Sequence, residues 1–286
     1  MRSLEVLAAG PLALVEDLGR PGLAGVGVGR SGAADRRALR LANRLLGNDE
    51  DAAAVEVTGG GLEVRAGEEA LTVCVTGARG PVLIDGRDAG SHAVLTVPAG
   101  AVLALRPPGV GLRSYLGVRG GVAVEPVLGS RSHDVLSGIG PPPLAPGDVL
   151  PVGDPVGPVP GVDQVPWPRP ADDLVLAAVR GPRADRFEDA DVLVHTTWRV
   201  SERSNRVGMR LAGGSFRTAR AEELPSEGIW RGAVQVPPGG EPVLFLADHP
   251  VTGGYPVVGV IVDADVDRAA QLPPGATFRV RWTDPP

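Results

Sequence analysis

The sequence predicts a mainly β protein in two strand-rich halves. Short stretches that alternate apolar and polar residues recur from end to end. Each stops at glycine or proline, of which the 286 residues hold 41 and 29, and both residues favour turns between strands. A helical stripe is convincing at one place.

In chain order, the alternation marks strands at 71–76, 82–85, 93–97 and 101–105, spaced as in an antiparallel sheet or barrel. Later strands fall at 174–179, 206–211, 243–247, 257–262 and 278–282. The helix spans 35–46. Ala38, Leu41, Ala42 and Leu45 form its apolar stripe. Ser31 or Asp35 caps the start, and Gly47 stops it. Shorter helices are predicted at 183–189 and 266–272.

Residues 151–170 carry Pro151, Pro155, Pro158, Pro160, Pro166, Pro168 and Pro170. Stiff proline-rich chain builds no ladder, so this stretch reads as a linker between domains 1–155 and 156–286. Residues 11–28 can be laid on 242–259 without a gap. Pro11 then meets Pro242, Asp17 meets Asp248, Gly22 meets Gly253 and Val26 meets Val257. The shared form is an apolar strand, an Asp, a glycine-rich turn and another apolar strand, as in a duplicated barrel.

Composition narrows the function. The net charge of −6 and pI near 5.3 disfavour nucleic-acid binding, which needs a basic surface. No run reaches the ~18 apolar residues of a membrane span. All 28 basic residues are Arg. Without Lys there is no Schiff base, no phosphate loop of the G-x-x-x-x-G-K type and no attachment point for biotin. Cys74, the single cysteine, sits in a strand pattern and reads as a small buried residue. One cysteine and no continuous apolar leader fit a cytoplasmic protein. The histidines show no metal-ligand spacing, so no metal site is predicted.

Three loops place arginine beside glycine: Arg20 in Asp17-Leu18-Gly19-Arg20-Pro21-Gly22, Arg119 before Gly120-Gly121, and Arg131 in Gly129-Ser130-Arg131-Ser132. Glycine lets a ligand approach the backbone, and a guanidinium forks onto carboxylates or phosphates. A fourth, Gly27-Val28-Gly29-Arg30-Ser31-Gly32, matches a dinucleotide fingerprint but lacks βαβ context. It reads as a turn-and-cap, or as an anion seat with Arg30 and Ser31 at the helix start. Asp248, His249, Thr252 and Tyr255 bring a carboxylate, an imidazole and two hydroxyls to one loop with Gly253 and Gly254. That set can serve acid–base work and oxyanion stabilisation. Asn205 and Glu227 complete the candidate substrate-binding set, although their polar runs read alone as solvated loops.

Taken together, these motifs resemble the family of the 5-oxoprolinase C subunit, also called KipA or allophanate-hydrolase subunit 2, of the biotin-dependent carboxyltransferase superfamily. The resemblance is carried by Asp17 through Gly22, Ser31 through Asp35, Leu41-Ala42-Asn43, Leu46-Gly47-Asn48, Glu56-Val57-Thr58, Tyr115 through Gly121 and Leu128 through Ser132. In the second half it is carried by Ser204 through Gly208, Pro225 through Gly228, Gln235 through Pro238 and Thr252 through Pro256. Ala34 and Asp248-His249-Pro250-Val251 depart from the usual pattern.

The resemblance implies two cyclophilin-like β-barrel domains and retires the dinucleotide reading. It implies an ATP-dependent enzyme that opens 5-oxoproline to glutamate, with ATP and Mg bound in the complex and no covalent biotin on this chain. Its partners would be a B subunit of the KipI type (like allophanate-hydrolase subunit 1) and an A subunit of the LamB/YcsF type. Two other roles follow from the same family: a regulator that antagonises a KipI-like kinase inhibitor, and a carboxyltransferase acting on urea or a similar substrate.

Overall fold

The computed structural model describes residues 2–166, 173–219 and 223–284. The chain forms two compact units. The first comprises Met1–Arg20, Ser31–Asp134 and Gly138–Arg169, and the second Pro21–Arg30, Val135–Ser137 and Pro170–Pro286.

Two antiparallel sheets build the first unit. Val149–Pro151, Ser3–Ala9, Leu62–Ala66, Val102–Leu105, Val82–Ile84 and Arg87–Asp88 lie side by side in one. The other runs Leu12–Glu16, Ala54–Thr58, Val110–Val118, Leu71–Arg79 and Val94–Val97. Inward-facing Leu4, Val6 and Val64 of one sheet meet Val55, Val57, Val73 and Val75 of the other in a single core. The period-2 alternation of the sequence is therefore the alternation of core and outer faces.

Helix Arg36–Leu46 lies against the second sheet, with Leu39 and Ala38 packed on Ala54 and Tyr115, and Leu45 and Leu46 on Cys74. Asp35 caps it, its carboxylate accepting from the Ala38 N–H at 2.9 Å. Gly47 ends it in the left-handed region at φ 65°.

The second unit is a closed barrel of seven strands: Val175–Arg180, Val257–Ile261, Ala233–Gln235, Val243–Phe245, Gly208–Ala212, Trp198–Val200 and Thr277–Trp282. A parallel pairing of Val175–Arg180 with Thr277–Trp282 closes it. Leu176, Trp198, Leu211, Leu244, Val258 and Phe278 fill the interior. A two-stranded ribbon, Glu227–Gly228 against Thr252–Gly253, is built on this unit. The short helices are Val192–His195 and Asp263–Ala269, with a 3-10 turn at Ala184–Arg186.

Two expectations need correction. Residues 151–166 belong to the first unit and do make sheet contacts. Ala93 pairs with Gln164, and the Val94 N–H donates to the Asp163 carbonyl. Prolines spaced several residues apart leave enough N–H groups between them to pair. Pro168 and Pro170 fall outside the described residues. In the repeat, Val257–Ile261 is a strand, but its counterpart, 26–30, is not: the 3-10 turn Ala24–Val26 runs into it, with Val26 mostly exposed. Gly22 and Gly27, both at positive φ, turn the chain there before a strand can run.

Candidate functional site

In the first unit Asp17 is the hub. Its Oδ1 accepts from the Gly19 N–H at 2.7 Å and from the Ser130 and Ser132 hydroxyls at 2.6 Å each. Its Oδ2 accepts from the Arg131 N–H at 2.6 Å. Burying a carboxylate is costly unless it is hydrogen-bonded, and four donors meet this one. The arrangement draws the Arg20 and Arg131 loops together.

Their guanidinium groups turn inward. Arg20 is buried and donates to the Val127 and Ser132 carbonyls. Arg131 Nε donates to the Val124 carbonyl at 2.6 Å. Arg119 donates to the carbonyls of Leu46 at 2.6 Å and Gly157 at 2.8 Å. Arg131 and Gly129 share a cleft of about 220 Å³ with Gly120, Asp17 and residues 48, 49, 51 and 52. The acids on its rim, Asp49 and Asp51, make it a poor seat for a triphosphate.

The segment before the helix is likewise closed. Ser31, buried at φ 54°, donates to the His133 carbonyl at 3.2 Å. Gly32 follows at φ 95°, and a Cβ there would lie 2.7 Å from the Gly19 nitrogen. Only glycine fits that approach. The Ala34 N–H donates to Glu56 Oε2 at 2.9 Å and the Asp35 N–H to the Tyr115 hydroxyl at 2.7 Å. Tyr115 in turn donates to Glu56 at 2.8 Å. Burial, with Glu56 and Asp35 beside it, holds the Tyr115 phenol well above its usual range. These N–H groups have protein acceptors, so they do not form an anion seat. Arg30 is exposed in the second unit's segment.

The second unit carries the reactive loop. Asp248 is 1% exposed, and its carboxylate accepts two-pronged from Arg206, Nε at 2.8 Å and Nη2 at 3.1 Å. The Val135 N–H adds a donor at 3.2 Å. A carboxylate so engaged braces the loop and is placed to position its neighbours. His249 Nδ1 lies 2.8 Å from the Pro250 carbonyl, which puts the proton on Nδ1.

Thr252 is exposed on the ribbon, Gly253 pairs with Glu227, and Tyr255 is 48% exposed. Gln235 Nε2 donates to the Tyr255 carbonyl at 3.0 Å, and a Cβ on Gly253 would lie 2.6 Å from that nitrogen. Glycine at this position lets Gln235 lie against the loop. Asn205 accepts from the Val207 and Gly208 N–H groups at 2.9 and 3.1 Å, a local turn that aims Arg206 inward.

Glu227 pairs with Arg183, whose Nε donates to Oε1 at 3.0 Å and Oε2 at 3.2 Å and whose Nη2 also donates to Oε1. The hydrogen bonds and charge of Arg183 hold the Glu227 carboxyl below its ordinary range, and those of Glu227 raise the Arg183 guanidinium. Arg183, Arg206, Gln235, Glu56 and Tyr115 are absent from the candidates that the sequence suggests. Glu56, a charge between buried valines in a strand, carries the clearest signal.

Residues 26–282 match the family model described as carboxyltransferase domain, subdomain A and B. The chain belongs to the carboxyltransferase domain family. This carboxyltransferase-domain chain is 38% identical to the 5-oxoprolinase C subunit of Escherichia coli (strain K12) over 281 residues, covering 95% of itself and 88% of that protein. It superposes on the crystal structure of TTHA0988 with a TM-score of 0.88 and 33% identity, over 99% of its own length and 56% of that chain. The crystal structure of the K. lactis urea amidolyase matches with a TM-score of 0.88 and 29% identity, over 97% of this chain and 18% of that one. The carboxyltransferase-domain chain thus spans little more than half of TTHA0988 and under a fifth of the amidolyase. Among the described residues no helix is long and apolar enough to cross a membrane.

Proposed function

We propose that the chain is the C subunit of an ATP-dependent 5-oxoprolinase, which hydrolyses the ring amide of 5-oxo-L-proline to L-glutamate. The observation that carries this reading is the 38% identity to the E. coli protein over nearly the whole of both chains. The reaction consumes water across an unactivated amide, so ATP, with Mg, supplies the driving force. The guanidinium groups of Arg20, Arg119 and Arg131 are bound to backbone carbonyls, and the chain has no Lys. These residues do not fit a nucleotide, and ATP is assigned to a partner protein of the complex.

This chain's own contribution is positioning and charge stabilisation. The Thr252 hydroxyl and the Tyr255 phenol are carried on a loop braced from below by Asp248, from one side by Glu227–Gly228 and from the other by Gln235. In this reading they donate to a carbonyl oxygen as it gains charge. A B subunit of the KipI type and an A subunit of the LamB/YcsF type complete the enzyme, a soluble complex of the cytoplasm. The test is ATP-dependent glutamate release from 5-oxoproline by the co-purified proteins, with this chain present and omitted. Undiminished release without it overturns the assignment.

A second reading is favoured by the match to the K. lactis urea amidolyase. There the same scaffold would accept a carboxyl group for urea or a similar ureido substrate. Carboxylation of urea that depends on a biotin-carrying partner distinguishes it.

A further inference from the structure

Resting on the 5-oxoprolinase reading, we infer that Arg183 is the anchor for the substrate's carboxylate and that Glu227 is a built-in occupant the substrate displaces. 5-Oxoproline carries a carboxylate and a ring amide, so its site needs a cation close to the groups that face the amide. Arg20, Arg119 and Arg131 are bound to backbone carbonyls of the first unit. Arg183 is different in kind: its guanidinium hydrogen-bonds the Glu227 carboxylate and, among the described residues, no carbonyl, with Asp185 as a further negative charge near it.

The backbone puts this pair on the reactive loop. Glu227 is held by its strand pairing with Gly253, one residue after Thr252. On the other side, the Arg183 N–H donates to the Val257 carbonyl at 3.3 Å and the Gly181 N–H to the Val258 carbonyl at 2.9 Å. A Cβ on Gly181 would lie 2.3 Å from the Val257 oxygen, so that turn is pressed onto the strand. Arg183 and Glu227 are therefore both held against this loop, Glu227 at Gly253 and Arg183 at Val257.

The pair is also exchangeable. Its side chains are 39% and 31% exposed, unlike the sealed Arg206–Asp248 pair, and exposed pairs add little net stability. A guanidinium fork recognises any carboxylate of the same geometry. A substrate carboxylate that takes the place of Glu227 would lie against the strand pairing with Gly253, on the loop that carries Thr252 and Tyr255.

The two partners then have opposite effects on substrate affinity, which a merely structural ion pair cannot produce. The test uses the reconstituted complex with 5-oxoproline and with 2-pyrrolidinone, the same lactam without its carboxylate. Arg183→Gln is expected to raise KM for 5-oxoproline tenfold or more, leave kcat within about twofold, and leave the response to 2-pyrrolidinone unchanged. Glu227→Gln is expected to lower KM for 5-oxoproline severalfold, because it removes the competitor. If Arg183→Gln fails to assemble, Arg183→Lys and Glu227→Gln carry the test. A Glu227→Gln enzyme whose KM rises, or losses of the same sign for both substrates, overturns the inference. Wild-type turnover of 5-oxoproline with such same-sign losses overturns it alone, whereas absence of wild-type turnover overturns the function reading and this inference together.

Discussion

Arg206 and Asp248 form a sealed two-pronged ion pair, with both side chains at or below 1% exposure. Removing either partner leaves an uncompensated charge in the interior. Arg206→Ala and Asp248→Ala are each expected to cost about 3–5 kcal/mol in denaturant unfolding. The double variant is expected to lose clearly less than the two singles summed, because neither charge is left behind. Single losses under ~1 kcal/mol would mean that the pair does not brace the loop.

Asp17 occupies the corresponding place in the repeat, and it braces its own unit through neutral donors. Asp17→Ala strands the Gly19 and Arg131 N–H groups and two serine hydroxyls. Each stranded buried group costs roughly 1–3 kcal/mol. A loss of at least ~3 kcal/mol in chemical denaturation is expected; a near-neutral variant would contradict the hub.

Glu227 titrates below the ordinary carboxylate range because of Arg183. A carboxyl depressed in the folded state adds stability above its unfolded pKa, and that stability is lost as pH falls through the folded value. The pair should thus survive mild acid and open only below the usual glutamate range. Carbon-detected NMR titration of the side-chain carboxyl checks this, with Arg183→Gln expected to return Glu227 toward its ordinary value. An unchanged midpoint in the variant would mean that Arg183 is not the cause.

Cys74 is fully buried, and burial pushes its thiol up to about 12. It should not react with an aromatic disulfide reagent in the native chain at mildly alkaline pH, and one thiol per chain should appear on unfolding. Rapid native labelling would show that the strand around it opens readily.

The strands are legible in the sequence because one face of each sheet is buried. Leu71–Arg79, Val102–Leu105, Val175–Arg180 and Val257–Ile261 fall within a residue or three of the stretches that alternation marks. Of the repeat, the paired aspartates hold their place: Asp17 directly follows the strand Leu12–Glu16 and Asp248 comes three residues after Val243–Phe245, each as a buried acceptor. The arginine loops are legible as positions but not as chemistry. Arginine is long enough to fold back onto carbonyls such as those of Ser132, Leu46 and Val124, and nothing in local sequence says which carbonyl will be near. Arg183 and Glu227 stand 44 residues apart, and only the Glu227–Gly253 pairing and the Gly181 turn bring them to one loop.

The central claim is that this chain works as part of a 5-oxoprolinase. The most direct measurement is glutamate release from 5-oxo-L-proline by the co-purified three-protein complex, with and without ATP and with and without this chain. The predicted result is release that needs ATP and stops when the chain is omitted. Release at full rate without the chain, or ATP-dependent carboxylation of urea in place of lactam hydrolysis, would contradict it.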